Sequence, residues 1–106
     1  MYARQLEQTI KKALKTRRII ILAGARQTGK STAAKFMKGR NFTYRTLDDT
    51  ASLEAAENDP EGFINLSSGT MIIDEVQKVP ALITAIKKAV DENTRYGQYL
   101  ITGSVN

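Results

Sequence analysis

Apolar side chains recur every three to four positions through residues 2–16. Tyr2, Leu6, Ile10, Ala13 and Leu14 fall on one stripe, with Arg4, Lys12 and Lys15 on the far side. That period predicts an amphipathic helix with one face turned to a core. The pattern then changes. Ile19-Ile20-Ile21-Leu22 is a continuous, mostly β-branched run without alternation, which predicts a strand over 18–22 covered on both faces.

Glycines and polar residues punctuate positions 24–31, and Ala33, Phe36 and Met37 space a short helix over 32–38. A second strand is predicted over 42–47, with Asp48 and Asp49 at its carboxyl end. Two short helical pieces follow, one over 53–57 and one opened by Asp59 as N-cap and Pro60 as first helical residue. Met71-Ile72-Ile73 reads as a third strand running into Asp74-Glu75. Val79-Pro80 opens a helix on which Val79, Leu82, Ile83, Ile86 and Val90 share a face. Arg95-Tyr96-Gly97 then turns the chain into a fourth strand over 98–102, which runs into Gly103 and Ser104.

Helices alternating with apolar strands imply right-handed crossovers and a parallel sheet covered on both faces. The chain has 106 residues, 42% of them hydrophobic, enough for one domain with one modest core. We read 1–16 as an N-terminal helix and 18–106 as the core proper.

Neither cysteine nor histidine occurs. Disulfides, thiolate or imidazole metal sites and histidine bases are therefore excluded, and any metal must be a hard cation held by oxygen. No apolar stretch approaches the roughly 18 residues of a membrane span, and no secretory signal opens the chain. These features predict a cytoplasmic protein without membrane contact. The net charge of +5 is unevenly spread. Residues 1–45 hold twelve Lys and Arg against Glu7 alone, whereas residues 46–106 hold four against ten Asp and Glu. A basic half attracts phosphates or nucleic acid, or simply solvates a face.

The candidate chemistry begins at Gly24-Ala25-Arg26-Gln27-Thr28-Gly29-Lys30-Ser31, which matches the phosphate-binding loop G-x-x-x-x-G-K-[ST] at every fixed position. A triphosphate needs several converging donors. Gly24 and Gly29 let the backbone wrap closely, so that amides from Gln27, Thr28, Gly29 and Lys30 point inward at the start of a helix. Lys30 supplies a charge for the β- and γ-phosphates, and the Ser31 hydroxyl ligates Mg²⁺. Thr32 either contacts an inner phosphate or packs; Arg26 either meets a phosphate or is solvated.

Asp74 and Glu75 stand where a parallel sheet holds its ligands, at a strand's carboxyl end. Asp74 suits the water shell of Mg²⁺, and Glu75 suits activation of a water against the γ-phosphate. With the fourth strand between the first and third, in sheet order 1-4-3-2, the hydroxyls of Thr102 and Ser104 approach the same phosphate. Asp48 and Asp49 either approach the metal or cap the next helix. The fold expected is thus a three-layer α/β P-loop NTPase core, with a nucleoside triphosphate and Mg²⁺ as its ligands.

Five segments come in order: the loop at 24–31, Leu47-Asp48-Asp49, Asp59-Pro60, Asp74-Glu75-Val76-Gln77-Lys78-Val79-Pro80, and Leu100-Ile101-Thr102-Gly103-Ser104. Together they closely resemble the prokaryotic AAA-type ATPases that carry an Asp-Glu-Val-Gln signature. The resemblance implies phosphate and magnesium binding by Lys30 and Ser31, a magnesium-shell role for Asp74, a catalytic Glu75, and a first-sensor position at Thr102 and Ser104. Family members continue into a fifth strand, an arginine finger or second sensor, a helical lid and a C-terminal domain. The chain as given is therefore expected to bind nucleotide with little turnover, and to self-associate through the uncovered edge of its first strand.

Two other classes compete. A small P-loop kinase would carry a further glycine where Gln27-Thr28 stand, together with an arginine-bearing lid. A nucleotide- or DNA-binding module that does not hydrolyse would draw on the basic N-terminal half. A guanine-specific switch is disfavoured, because Gln77 stands where a glycine is needed and no Asn-Lys-x-Asp occurs.

Overall fold

A computed structural model describes residues 2–24, 41–66 and 69–104. Its strands β1 (Ile19–Gly24), β2 (Phe42–Thr46), β3 (Thr70–Asp74) and β4 (Tyr99–Ser104) form one sheet in the order β1-β4-β3-β2. Every pairing is parallel. The helices are α1 (Tyr2–Ala13), α2 (Thr50–Asn58), α3 (Pro60–Ile64) and α4 (Ala81–Glu92), with a single 3₁₀ turn at Val76–Lys78. The helix expected over 32–38 lies outside the described residues, as does the phosphate loop after Gly24.

Alternate residues of the strands feed two cores, which is why apolar runs without alternation were needed. On one face Ile20, Ile72 and Leu100 pack beneath Ile10 and Leu14 of α1. On the other, Met71, Ile73, Tyr99 and Ile101 meet Phe63 and Ile64 of α3 and Leu82, Ala85 and Ile86 of α4. Helices on both faces make the three-layer α/β arrangement expected. Ile72 and Leu100 sit at the centre of the sheet with no exposed surface, and truncating either to Ala would cost about 2–5 kcal/mol.

Helix boundaries follow local chemistry. Asp49 caps α2 by accepting the Ser52 N–H at 3.0 Å, which lets that helix begin earlier than its apolar residues suggest. Asp59 accepts the Gly62 N–H at 3.0 Å, with Pro60 following it as expected. Helix α1 ends at Ala13 rather than at residue 16, because the N–H groups of Lys15 and Thr16 bond three residues back in a tightened last turn. Lys11 and Lys12 there offset the negative end of the helix.

Two packing expectations need correction. Ile83, which the sequence pattern assigns to the buried face of α4, is exposed. A stripe through Leu82, Ala85, Ile86 and Ala89 leaves position 83 on its flank at 100° per residue. Ile21 was expected to be covered on both sides but is 63% exposed. Among the described residues, β1 pairs with β4 only, and Ile21 faces away from the α1 core.

Candidate functional site

Parallel register brings the candidate residues to one level. Leu22 of β1 stands beside Thr102 of β4, and Gly24 beside Ser104. Ile73 of β3 stands beside Ile101, so continuing that register sets Asp74 beside Thr102. The carboxyl ends of β1, β4 and β3 therefore converge, and the phosphate-loop sequence starts from the same edge. Period-two alternation turns Thr102 and Asp74 to the same side of the sheet.

Thr102 is the hub. Its hydroxyl donates to Oδ1 of Asp74 and accepts the backbone N–H of Glu75 at 3.2 Å. Oδ2 of Asp74 accepts the hydroxyl of Tyr44 at 2.9 Å, from the neighbouring strand β2. Burial, and next the Asp74 carboxylate beside it, push the Tyr44 phenol well above its ordinary value near 10. The backbone carbonyl of Asp74 accepts the Leu47 N–H at 3.0 Å, which ties the end of β2 to the same point. Thr102, Asp74 and Glu75 are all buried, so these groups act where solvent screens little.

Glu75 has φ 61° and ψ 44° and is the one non-glycine residue with positive φ among those described. A left-handed conformation costs a long side chain roughly 1–2 kcal/mol. It also ends β3 abruptly and curls the chain into the Val76–Lys78 turn, closed by the Lys78 N–H on the Glu75 carbonyl at 3.1 Å. That curl returns Gln77 to Glu75, whose Oε1 accepts the Gln77 amide at 2.8 Å. The other end of Gln77 lies against Gly103 on β4, where an added Cβ would stand 2.8 Å from its Oε1.

Asp74, Glu75 and Thr102 are thus brought together, and the backbones of Gly24 and Ser104 meet beside them. Gln27, Thr28, Gly29, Lys30, Ser31 and Thr32 lie outside the described residues. The alternatives left open for Asp48 and Asp49 divide: Asp49 caps α2, while Asp48 pairs with Lys78. Tyr44, Gln77 and Gly103 were missed as site residues. A sheet order with β2 beside β3 was the available signal for Tyr44, two positions short of Asp74 in register. For Gln77 the signal required knowing that Glu75 turns left-handed.

The donor set fits a hard cation. Among the described residues no three carboxylates gather into a cage. One buried carboxylate with hydroxyls on both oxygens suits Mg²⁺, which keeps several waters and takes the rest of its ligands from phosphate. No helix among the described residues is long and apolar enough to cross a membrane.

The fold is shared with the P-loop NTPase domain of the sigma-54 transport activator from E. coli, with a TM-score of 0.58 and 21% sequence identity. The match covers 100% of this chain and 86% of that one. Uncharacterised proteins of Mycobacterium tuberculosis and Mycobacterium bovis are each 30% identical over 98 residues, 92% of this chain. The chain spans only 22% of the length of these curated relatives. The AAA domain family matches residues 16–106, and the chain belongs to that family.

Proposed function

We propose that the chain binds Mg·ATP at the shared carboxyl edge of β1, β4 and β3, and that the complete protein couples hydrolysis of ATP to work on a client. The observation that carries this reading is the convergence of Asp74, Glu75 and Thr102 at the level where β1 ends in Gly24. Membership of the AAA domain family supports nucleotide binding in general.

In this reading Gly24, Gln27, Thr28 and Gly29 wrap the phosphates with backbone amides, and Thr32 reaches the inner phosphate. Lys30 holds the β- and γ-phosphates. Ser31 and Asp74 would hold Mg²⁺, which when bound neutralises phosphate charge. Glu75 accepts a proton from the attacking water. Thr102, with Ser104 beyond it, faces the γ-phosphate and links its presence to both acids. A transition-state cation is typically worth about 10³–10⁵ in rate. In this reading the complete protein supplies such a cation to the γ-phosphate.

Lys30→Ala tests the reading. Calorimetry with Mg·ATP should give at least about tenfold weaker binding, since a charge-assisted phosphate contact disappears. Equal affinity in parent and variant overturns the phosphate-loop role.

A further inference from the structure

The opposite end of the sheet carries a second cleft. It is an open cleft of about 550 Å³ between the last turn of α1, the amino ends of β2 and β3, and the turn before β4. Thr70 at this end lies four residue steps along β3 from Asp74 at the other, about 13 Å of strand.

Among the described residues, every charged side chain lining the cleft is a cation: Lys11, Lys15 and Arg95. Lys11 reaches Glu7 at 3.0 Å, while Lys15 and Arg95 enter no ion pair with another described residue. Tyr96 lines the same cleft and is 58% exposed, so its ring is open to a ligand. Phe42 extends the apolar part of the wall.

The ring is presented from a fixed turn. Gly97 has φ +71°, and an added Cβ would lie 3.0 Å from the Leu14 carbonyl, so the turn rests directly on the end of α1. The Gly97 N–H donates to Arg17 at 2.7 Å, and its carbonyl accepts the buried Thr70 hydroxyl at 2.7 Å. A platform held in this way loses little freedom when a ligand stacks on it.

We propose that this cleft binds single-stranded nucleic acid, with backbone phosphates on Lys11, Lys15 and Arg95 and a base stacked on Tyr96. Cations and an exposed aromatic ring lining one cleft are the elements of a strand-tracking site. An acidic peptide would use the cations but leave the ring without a planar partner. A duplex keeps its bases stacked on one another and away from Tyr96. The excess of basic residues through position 45 steers either polyanion toward this half of the protein.

Fluorescence anisotropy with a labelled oligo(dT) of about 15 nucleotides tests the proposal, without ATP. Three phosphate contacts predict a log–log salt slope of about −2, or about 15-fold weaker binding between about 50 and 200 mM KCl. Tyr96→Ala should weaken binding about five- to hundredfold while Tyr96→Phe retains it, because stacking needs only the ring. Lys15→Glu combined with Arg95→Glu should abolish binding yet leave Mg·ATP affinity unchanged, which separates this site from the nucleotide site. The proposal is overturned by absent binding, by an unchanged Tyr96→Ala variant, or by a duplex or poly-glutamate competing as well as the single strand.

Discussion

The side-chain amide of Gln77 donates to the Glu75 carboxylate at 2.8 Å, across two residues of the same chain. Contact at so short a spacing depends on the left-handed backbone of Glu75 and the 3₁₀ turn after it. Gly103, on a different strand, closes the far side of Gln77. The direction of the candidate base is therefore set by a glutamine wedged between its own carboxylate partner and β4.

This arrangement makes Gln77 and Gly103 one device. Gln77→Ala removes the donor, and Gly103→Ala pushes the same amide aside at small cost in stability, because the displaced atom ends a flexible side chain. If the proposed function holds, each variant of the complete protein should lose roughly ten- to a hundredfold in ATP turnover, the scale of a misplaced catalytic group. The double variant should be no slower than either single one. Steady-state ATPase assays check this, and additive losses would contradict it.

Backbone strain at Glu75 yields a stability prediction. Glu75→Gly relieves a φ of 61° and should raise unfolding free energy by about 1–2 kcal/mol over Glu75→Gln. Both variants should bind nucleotide and neither should hydrolyse it. Urea midpoints of the two proteins, compared without ligand, decide the first half.

Two hydroxyls grip Asp74, and they are not equivalent. Tyr44→Phe removes one charge-assisted bond and should cost about 1.5–3 kcal/mol. Thr102→Val removes a donor to Asp74 and an acceptor for the Glu75 N–H at once, so its cost should be larger. It should also weaken Mg·ATP more than Tyr44→Phe does. Denaturation and calorimetry on the pair give the order.

Alkali provides an independent check. Burial raises the phenols of both Tyr44 and Tyr99 above the ordinary tyrosine value. A raised folded value means that, above about pH 10, the unfolded chain releases protons that the folded chain retains. Stability should therefore be insensitive to these groups below about pH 10 and fall as pH rises beyond it. Tyr44→Phe should flatten that decline, as followed by urea unfolding at successive pH values.

Most of the fold was legible because its signals are local. Ile19-Ile20-Ile21-Leu22 and Met71-Ile72-Ile73 read as strands of a sheet, although Ile21 stays exposed, and Asp59-Pro60 reads as a helix start. The strand order followed from the need to bring residue 24 and Asp74 to one edge. The site was legible where spacing along the chain carries it, as at Asp74 and Glu75. It was opaque where contact depends on register or on a rare backbone angle. Tyr44 reaches Asp74 only because β2 lies against β3 in one particular alignment. Ile83 shows the same limit in a helix, since the edge of a stripe is decided by what packs against it.

The position of β4 between β1 and β3 also governs how the molecule is made. Ile19 pairs with Tyr99, a loop of about 80 residues to close, and such separations slow folding because chain entropy is lost before contacts form. β1 touches neither β3 nor β2 in the sheet, so the two sides of the site remain apart until β4, which follows both in the chain, slides between them. Thr102 arrives on that same strand. Joining of β1 to β3 through β4 and assembly of the Asp74–Thr102–Glu75 network are a single kinetic event, and a nascent chain without β4 holds the acids and the phosphate loop but has no means of aligning them.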